Sequence, residues 1–134
     1  MQIDGQCHCG AVAYEAVIDS DDVGICHCTA CQHLTGSAYR VTTFARREDF
    51  RITAGAPKTY VKTGANGRIR YQMFCGECGS PLYTTGTDED AEEIGIRWGN
   101  IRQRKALTPK SQIWCSSAAN WFGERDALPG RERG

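Results

Sequence analysis

Ile69-Arg70-Tyr71-Gln72-Met73-Phe74-Cys75-Gly76-Glu77-Cys78-Gly79-Ser80-Pro81-Leu82-Tyr83-Thr84-Thr85 reads as a strand, a cysteine knuckle and a second strand. Ile69–Phe74 and Leu82–Thr85 are short and rich in β-branched and aromatic residues, and glycine and proline bound them. Between them, two thiols separated by two residues can present both sulfurs from one turn to a single ion. Gly76 and Gly79, like Gly10 after Cys7-His8-Cys9, suit the positive backbone angles that let backbone amides face the sulfurs of a knuckle. The chain therefore reads as small strands joined through metal-binding turns.

The same strand character recurs along the chain. Ala11–Ile18, Tyr39–Phe44, Phe50–Thr53, Thr59–Lys62, Ile94–Trp98 and Gln112–Cys115 complete the set, the first of them following the Cys7–Cys9 knuckle. Turns are expected at Gly55–Pro57 and at Gly64–Gly67, the latter with the Asn-Gly pair favoured in hairpins. One helical turn is expected at Thr29–Leu34, ending at Gly36. Thr87–Glu93 reads as an acidic surface loop. Strands at this spacing predict an all-β fold, a small β-sandwich or open barrel with at most one short helical turn. No linker, repeat or low-complexity tract interrupts it, so residues 1–134 are expected to form one domain.

Leu, Ile, Val and Phe supply only about a sixth of the 134 residues. Sixteen basic and sixteen acidic residues cancel, which argues against disorder and against an electrostatic partnership with nucleic acid. A thin core reinforced by metal reconciles these facts, because binding a structural zinc contributes on the order of 10 kcal/mol to folding. Eight cysteines could instead form disulfides, as in small secreted domains. The start MQIDGQCHCG has no basic segment, apolar run or cleavage site, which favours a reduced, cytoplasmic setting and metal. No stretch has the ~18 apolar residues of a membrane span.

Seven of the eight cysteines divide into four plus three. The pairs Cys7/Cys9 and Cys75/Cys78 are expected to close a structural zinc site of four thiolates. Cys26, Cys28 and Cys31 lie within six residues and can hold one face of a second zinc, leaving a position for a ligand. Three thiolates weaken zinc as an activator of water and make a soft thiol the better fourth ligand. Bound there, a thiol would be held as thiolate, poised to attack a small electrophilic carbon. The cluster could instead be closed by His27, His33, His8 or Cys115, or act as a redox pair. Lone Cys115 is expected to be a buried, inert thiol. Trp98, Trp114 and Trp121 are expected in the core or at its rim. An anionic thiol would need nearby cations, with Arg40, Arg46, Arg47 and Arg97 as candidates.

Gly5-Gln-Cys-His-Cys-Gly-Ala-Val, Cys26-His-Cys-Thr-Ala-Cys-Gln-His-Leu-Thr-Gly-Ser and Phe74-Cys-Gly-Glu-Cys-Gly-Ser-Pro-Leu-Tyr resemble the glutathione-dependent formaldehyde-activating enzymes, also called the centromere-protein-V family. The likeness runs from about Gly5 to Leu128-Pro129. It implies a zinc-containing β-sandwich of the β-tent type, a structural zinc on Cys7, Cys9, Cys75 and Cys78, and a catalytic zinc on Cys26, Cys28 and Cys31. It also implies a carbon–sulfur lyase that adds glutathione to formaldehyde, giving S-hydroxymethylglutathione. Where many members carry His before the last apolar strand, this chain has Gln112. The alternative from another class is a zinc-stabilised binding module with two closed sites and no chemistry.

Overall fold

A computed structural model of the chain describes residues 1–87 and 91–134; residues 88–90, in the middle of the expected acidic loop, lie outside it. The strands are β1 (Gln2–Gln6), β2 (Ala13–Val17), β3 (Val23–Cys26), β4 (Arg40–Arg46), β5 (Phe50–Ala54), β6 (Lys58–Thr63), β7 (Ile69–Phe74), β8 (Pro81–Gly86), β9 (Glu93–Arg97) and β10 (Ser111–Ile113). One α-helix, α1 (Thr29–Thr35), ends on Gly36 in the left-handed conformation, close to where the sequence placed it. The fold is mostly β, as expected. The strands form two open sheets, a three-stranded sheet in the order β1-β2-β5 and a seven-stranded sheet in the order β10-β3-β4-β9-β8-β7-β6. Every neighbouring pair is antiparallel except β10 beside β3.

The sheets share one apolar core. Ile3, Tyr14 and Ala16 enter it from the small sheet, and Val23, Ala45, Ile94 and Ile96 from the large one. Phe50 ties the layers, stacking on Tyr14 at 5.4 Å and tilting over Tyr83 at 4.6 Å. Along β4 the alternation decides what each face becomes. Val41, Thr43 and Ala45 turn toward the core, while Arg40, Thr42 and Phe44 turn to the opposite face. The second face carries the candidate site described below.

Several expectations need correction. A strand, β1, precedes Cys7, so the Cys7–Cys9 knuckle is a turn between two strands and not the approach to the first. Its sequence, QIDGQ, offers only Ile3 as an apolar signal, and Gly5 is buried without a side chain to advertise it. The four-residue β3, VGIC, was likewise too short and glycine-broken to read. At the C-terminal side, β9 ends at Arg97 with Trp98 in a 3-10 turn, and β10 ends at Ile113. Trp114 has φ 57, the conformation that ends the strand, and Cys115 opens a 3-10 turn, where it is exposed and not buried. Finally, Gly10 and Gly79 have φ of 82 and 75, but Gly76 does not take a positive angle; a side chain there would run into the stem of Lys58.

A seam of polar contacts closes the open end of the sandwich. Tyr14 donates its hydroxyl to Asn100 Oδ1 at 2.5 Å, and Asn100 Nδ2 donates to the Pro81 carbonyl at 2.5 Å. Arg102 grips Asp4 through two hydrogen bonds, and Gln103 Nε2 adds a third at 2.6 Å. Gly5 lies beneath this seam, and a Cβ there would meet the Tyr14 hydroxyl and the Asn100 carbonyl. Overpacking of this kind costs about 1–3 kcal/mol. Gly5→Ala is therefore expected to lower the melting temperature by several degrees in a thermal unfolding scan. An unchanged melting temperature would show that the seam yields freely.

Candidate metal centres

The first group is assembled from two turns remote in sequence. Cys7 and Cys9 come from the β1–β2 turn and Cys75 and Cys78 from the β7–β8 turn, and all four sulfurs lie within 4.8 Å of one another. Cys7 Sγ is 3.6 Å from Cys9 Sγ, and Cys9 Sγ is 3.7 Å from Cys75 Sγ. Sulfurs at ~2.3 Å from a tetrahedral ion stand roughly 3.8 Å apart, whereas a disulfide requires about 2 Å. All eight cysteines are free. Backbone amides aim at the sulfurs, Val12 N–H to Cys7 at 3.3 Å and Glu77 N–H to Cys75 at 3.4 Å. Without an ion the four cannot ionise together. The Ser80 hydroxyl is the first of the groups that hold Cys78 down to about 5. Cys9, drawn down by the Ala11 amide, is nevertheless pushed up to about 12 by Cys7 and its other thiol neighbours. A divalent cation relieves that crowding, so this donor set fits a metal.

The second group is local. Cys26 ends β3, Cys28 is the N-cap of α1 and Cys31 lies in its first turn, so the strand-to-helix change gathers three sulfurs within 4.8 Å. Cys28 Sγ accepts the Cys31 N–H at 3.2 Å, which does the capping that Ser or Asp does elsewhere. Burial, opposed by the Arg40 charge and reinforced by Cys28 and Cys26, pushes the Cys31 thiol up to about 12. Burial would raise Cys28 as well, but hydrogen bonding with Cys31 and Cys26 and the charge of Lys62 hold it below its ordinary value. Among the described residues no further His, Cys or carboxylate ligand atom joins this trio. Two cysteine clusters able to hold metal ions, divided four and three, are therefore present.

The trio opens on the polar face of the large sheet. A cavity of about 250 Å³ is lined by Cys26, Cys31, Arg40, Thr42, Phe44, Thr84 and Arg97, among others. Register explains the assembly, since Cys26 pairs with Arg40, Thr42 with Arg97, and Thr84 with Gly95. Arg97 Nη1 donates to Thr42 Oγ1 at 2.9 Å and Nη2 to Gln72 Oε1 at 3.0 Å. Gln72 in turn donates to Thr84 Oγ1 at 3.2 Å, and Thr84 to the Tyr71 carbonyl at 2.9 Å. Burial first, and then the Arg40 charge, pushes Arg97 down to about 9, which leaves it cationic at neutral pH. Of the four arginines considered from sequence, Arg40 and Arg97 face the cavity. Arg46 and Arg47 do not, being exposed at the far end of β4. Thr42 and Gln72, which hold Arg97, and Thr84, which braces Gln72, were not legible without the strand register.

The remaining candidates take other roles. His27 is fully buried, with Nε2 at 3.0 Å from Gln112 Oε1 and its ring edge-on to Phe122 at 4.7 Å. His33 and His8 are exposed, and Cys115 lies outside the trio. Gln32 Nε2 fastens α1 to the C-terminal segment, donating to the His27 carbonyl at 2.9 Å and the Ser117 carbonyl at 3.0 Å. Trp98 packs against the core and donates to the Leu107 carbonyl at 2.9 Å, while Trp114 and Trp121 are exposed.

The sequence profile of a family described as glutathione-dependent formaldehyde-activating enzyme matches residues 2–117. Among solved structures, the crystal structure of a Rhodobacter sphaeroides protein, a structural-genomics target, is similar at a TM-score of 0.62 and 23% identity, covering 81% of this chain and 98% of that one. A likeness at that identity shows the fold. No curated protein matches the chain.

Cys7 and Cys75 are each only 1% exposed and sit at the junction of the two sheets. Metal-coupled folding energy on the order of 10 kcal/mol at such a site rivals the whole ~5–15 kcal/mol stability of a domain. Cys75→Ser is therefore expected to unfold the protein or abolish its accumulation, and a strong chelator to collapse its circular dichroism spectrum. Cys31→Ser, in a local trio that joins no sheets, is expected to fold with a smaller loss. Equal stability of the two variants would contradict this division of roles.

Proposed function

The chain belongs to the glutathione-dependent formaldehyde-activating enzyme family, and from that premise we propose that it is a zinc-dependent carbon–sulfur lyase acting on a small thiol and a small aldehyde. The observation that carries the proposal is the three-sulfur group that no fourth ligand among the described residues joins and that opens on a cavity. Cys7, Cys9, Cys75 and Cys78 would hold a structural zinc, and Cys26, Cys28 and Cys31 the catalytic one. The catalytic zinc would supply the charge that keeps an exogenous thiol in its nucleophilic form near neutral pH.

Three cysteines donate enough charge to make a soft sulfur ligand preferable to water. The wall of β3, β4 and β9 orients the thiol and limits water at the reacting carbon. Arg40, Arg97 and Lys62 supply positive potential that concentrates anionic partners near the trio. With glutathione and formaldehyde as the leading pair, a sulfur–carbon bond forms, the carbonyl π bond breaks, and the thiol proton ends on the new hydroxyl. The reverse reaction releases thiol and aldehyde from the same adduct.

The cobalt-substituted protein, titrated with glutathione, tests the reading. Saturable shifts of the ligand-field bands are expected from one of two bound metals. Fixed bands with two metals bound would mean closed sites and a non-catalytic binding module. Cys28→Ser is expected to retain its far-ultraviolet circular dichroism while losing more than the ~10–100-fold that removal of an outer-shell partner costs. Loss is read as rate above the uncatalysed background by exchange spectroscopy on the thiol adduct, and full activity in that variant would overturn the assignment.

A further inference from the structure

We propose that Arg40 and Arg97 form a recognition site for a carboxylate carried by the thiol, an inference that rests on the thiol-binding reading above. The two guanidinium groups are unusual in how they are buried. Arg40 is 9% exposed and Arg97 8%, yet neither has a carboxylate partner among the described residues. Among the described residues, the basic side chains seen paired with acids, Arg46, Arg51, Arg102 and Lys110, are all exposed. This inverts the usual pattern, in which buried charge is paired and surface charge is left to water. Arg97 is held by neutral oxygens of Thr42 and Gln72, which fix its plane and leave its charge uncompensated. Arg40 makes no side-chain hydrogen bond among the described residues, and its Nε–H is fully buried with no acceptor.

The spaces around the pair say where the missing anion belongs. Both arginines line the cavity that reaches Cys26 and Cys31. Both also line two others, of about 350 Å³ and 210 Å³, that touch none of the three cysteines. The guanidiniums thus stand between the sulfur site and the larger space, which Tyr39, Trp98 and Asn100 help to line. Asp22 is the acidic residue among the linings of these three cavities, and it is exposed and joins neither arginine in an ion pair. Cys26 and Arg40 are direct cross-strand partners, and Arg97 lies one strand farther on. With strands ~4.8 Å apart, the sulfur and carboxylate subsites lie within reach of a small molecule. Planar guanidinium forks match carboxylate geometry, which makes this anion the fitting ligand. Sulfur at one end and carboxylate at the other would fix a thiol at two points and turn its sulfur toward the reacting carbon.

The test compares 3-mercaptopropionate with 3-mercaptopropionamide, which differ in the carboxylate, by titration of the full-length cobalt-loaded protein. The acid is expected to saturate the ligand-field shift at a concentration about ten- to a hundredfold lower than the amide. Arg40→Gln, which breaks no side-chain hydrogen bond among the described residues, is expected to fold and to weaken the acid far more than the amide, bringing the two thiols within a few-fold of each other. Arg97→Lys, which keeps charge but loses the fork, is expected to give an intermediate preference. Equal binding of acid and amide by the unaltered protein would overturn the carboxylate site while leaving thiol binding intact. Equal weakening of both thiols in Arg40→Gln would also overturn it, reducing the pair to general support for the bound sulfur. If neither thiol moves the bands, the thiol-binding reading fails and this proposal falls with it.

Discussion

Where the turn between β1 and β2 meets the turn between β7 and β8, four thiols stand within 4.8 Å of one another, and they join two sheets that share only a modest apolar core. Few side chains as large as Tyr14, Leu82 and the buried isoleucines are available to hold the sheets together. The two turns are also far apart in sequence, so their meeting closes a long loop and cannot be brought about by local structure. The polar seam through Tyr14, Asn100 and Pro81 runs across the same sheets and depends on their being held in place. A cation at the four sulfurs would fix the junction directly, because the bond strength would reside in the ligands and not in buried area. The rest of the architecture can then be thin.

That economy leaves the second face of the large sheet free for chemistry. Strand β4 shows the division residue by residue, with Ala45 in the core and Arg40 on the reverse side. Burying guanidinium groups there costs several kcal/mol each unless opposite charge is near. Any thiolate charge on the trio would lessen that cost, since Arg40 acts on Cys31 and Cys31 and Cys26 act back on Arg97, but it leaves both guanidiniums without a carboxylate. The charge of the sulfurs and that of the arginines are therefore coupled.

The two cysteine groups were legible because spacing within a turn is a local property. Cys75-x-x-Cys78 and Cys26-x-Cys28-x-x-Cys31 need no knowledge of the fold to be read, and the four-plus-three division follows from ligand number. What failed depended on partners distant in sequence. QIDGQ becomes β1 because β2 pairs with it and the 98–103 segment covers it, and its own pattern carries one apolar residue. Cys115 looked like the inward end of a strand, but the left-handed backbone of Trp114 turns the chain out one residue earlier. Arg40 and Arg97 could be nominated with Arg46 and Arg47 but not ranked. Only the pairing of β4 with β3 and β9 places the first two beside Cys26 and leaves the others on the rim.

Gln112 shows what an amide does at the edge of the large sheet. The register of β10 against β3 sets Gln112 opposite Ile25, from where its amide oxygen reaches His27, the residue between Cys26 and Cys28. The contact ties the edge strand to the loop that carries two of the three sulfurs. Phe122, packed edge-on against His27 and Tyr39, holds the other side of the ring. An imidazole at position 112 would offer a group able to gain or lose a proton near neutral pH, whereas an amide offers only hydrogen bonds. In this chain position 112 is thus a brace and not an acid or base. On the proposed reading, a proton released when a thiol binds would find no imidazole at position 112 to take it, and the protein's contribution would fall on charge and position, the two things that the trio and the arginines supply.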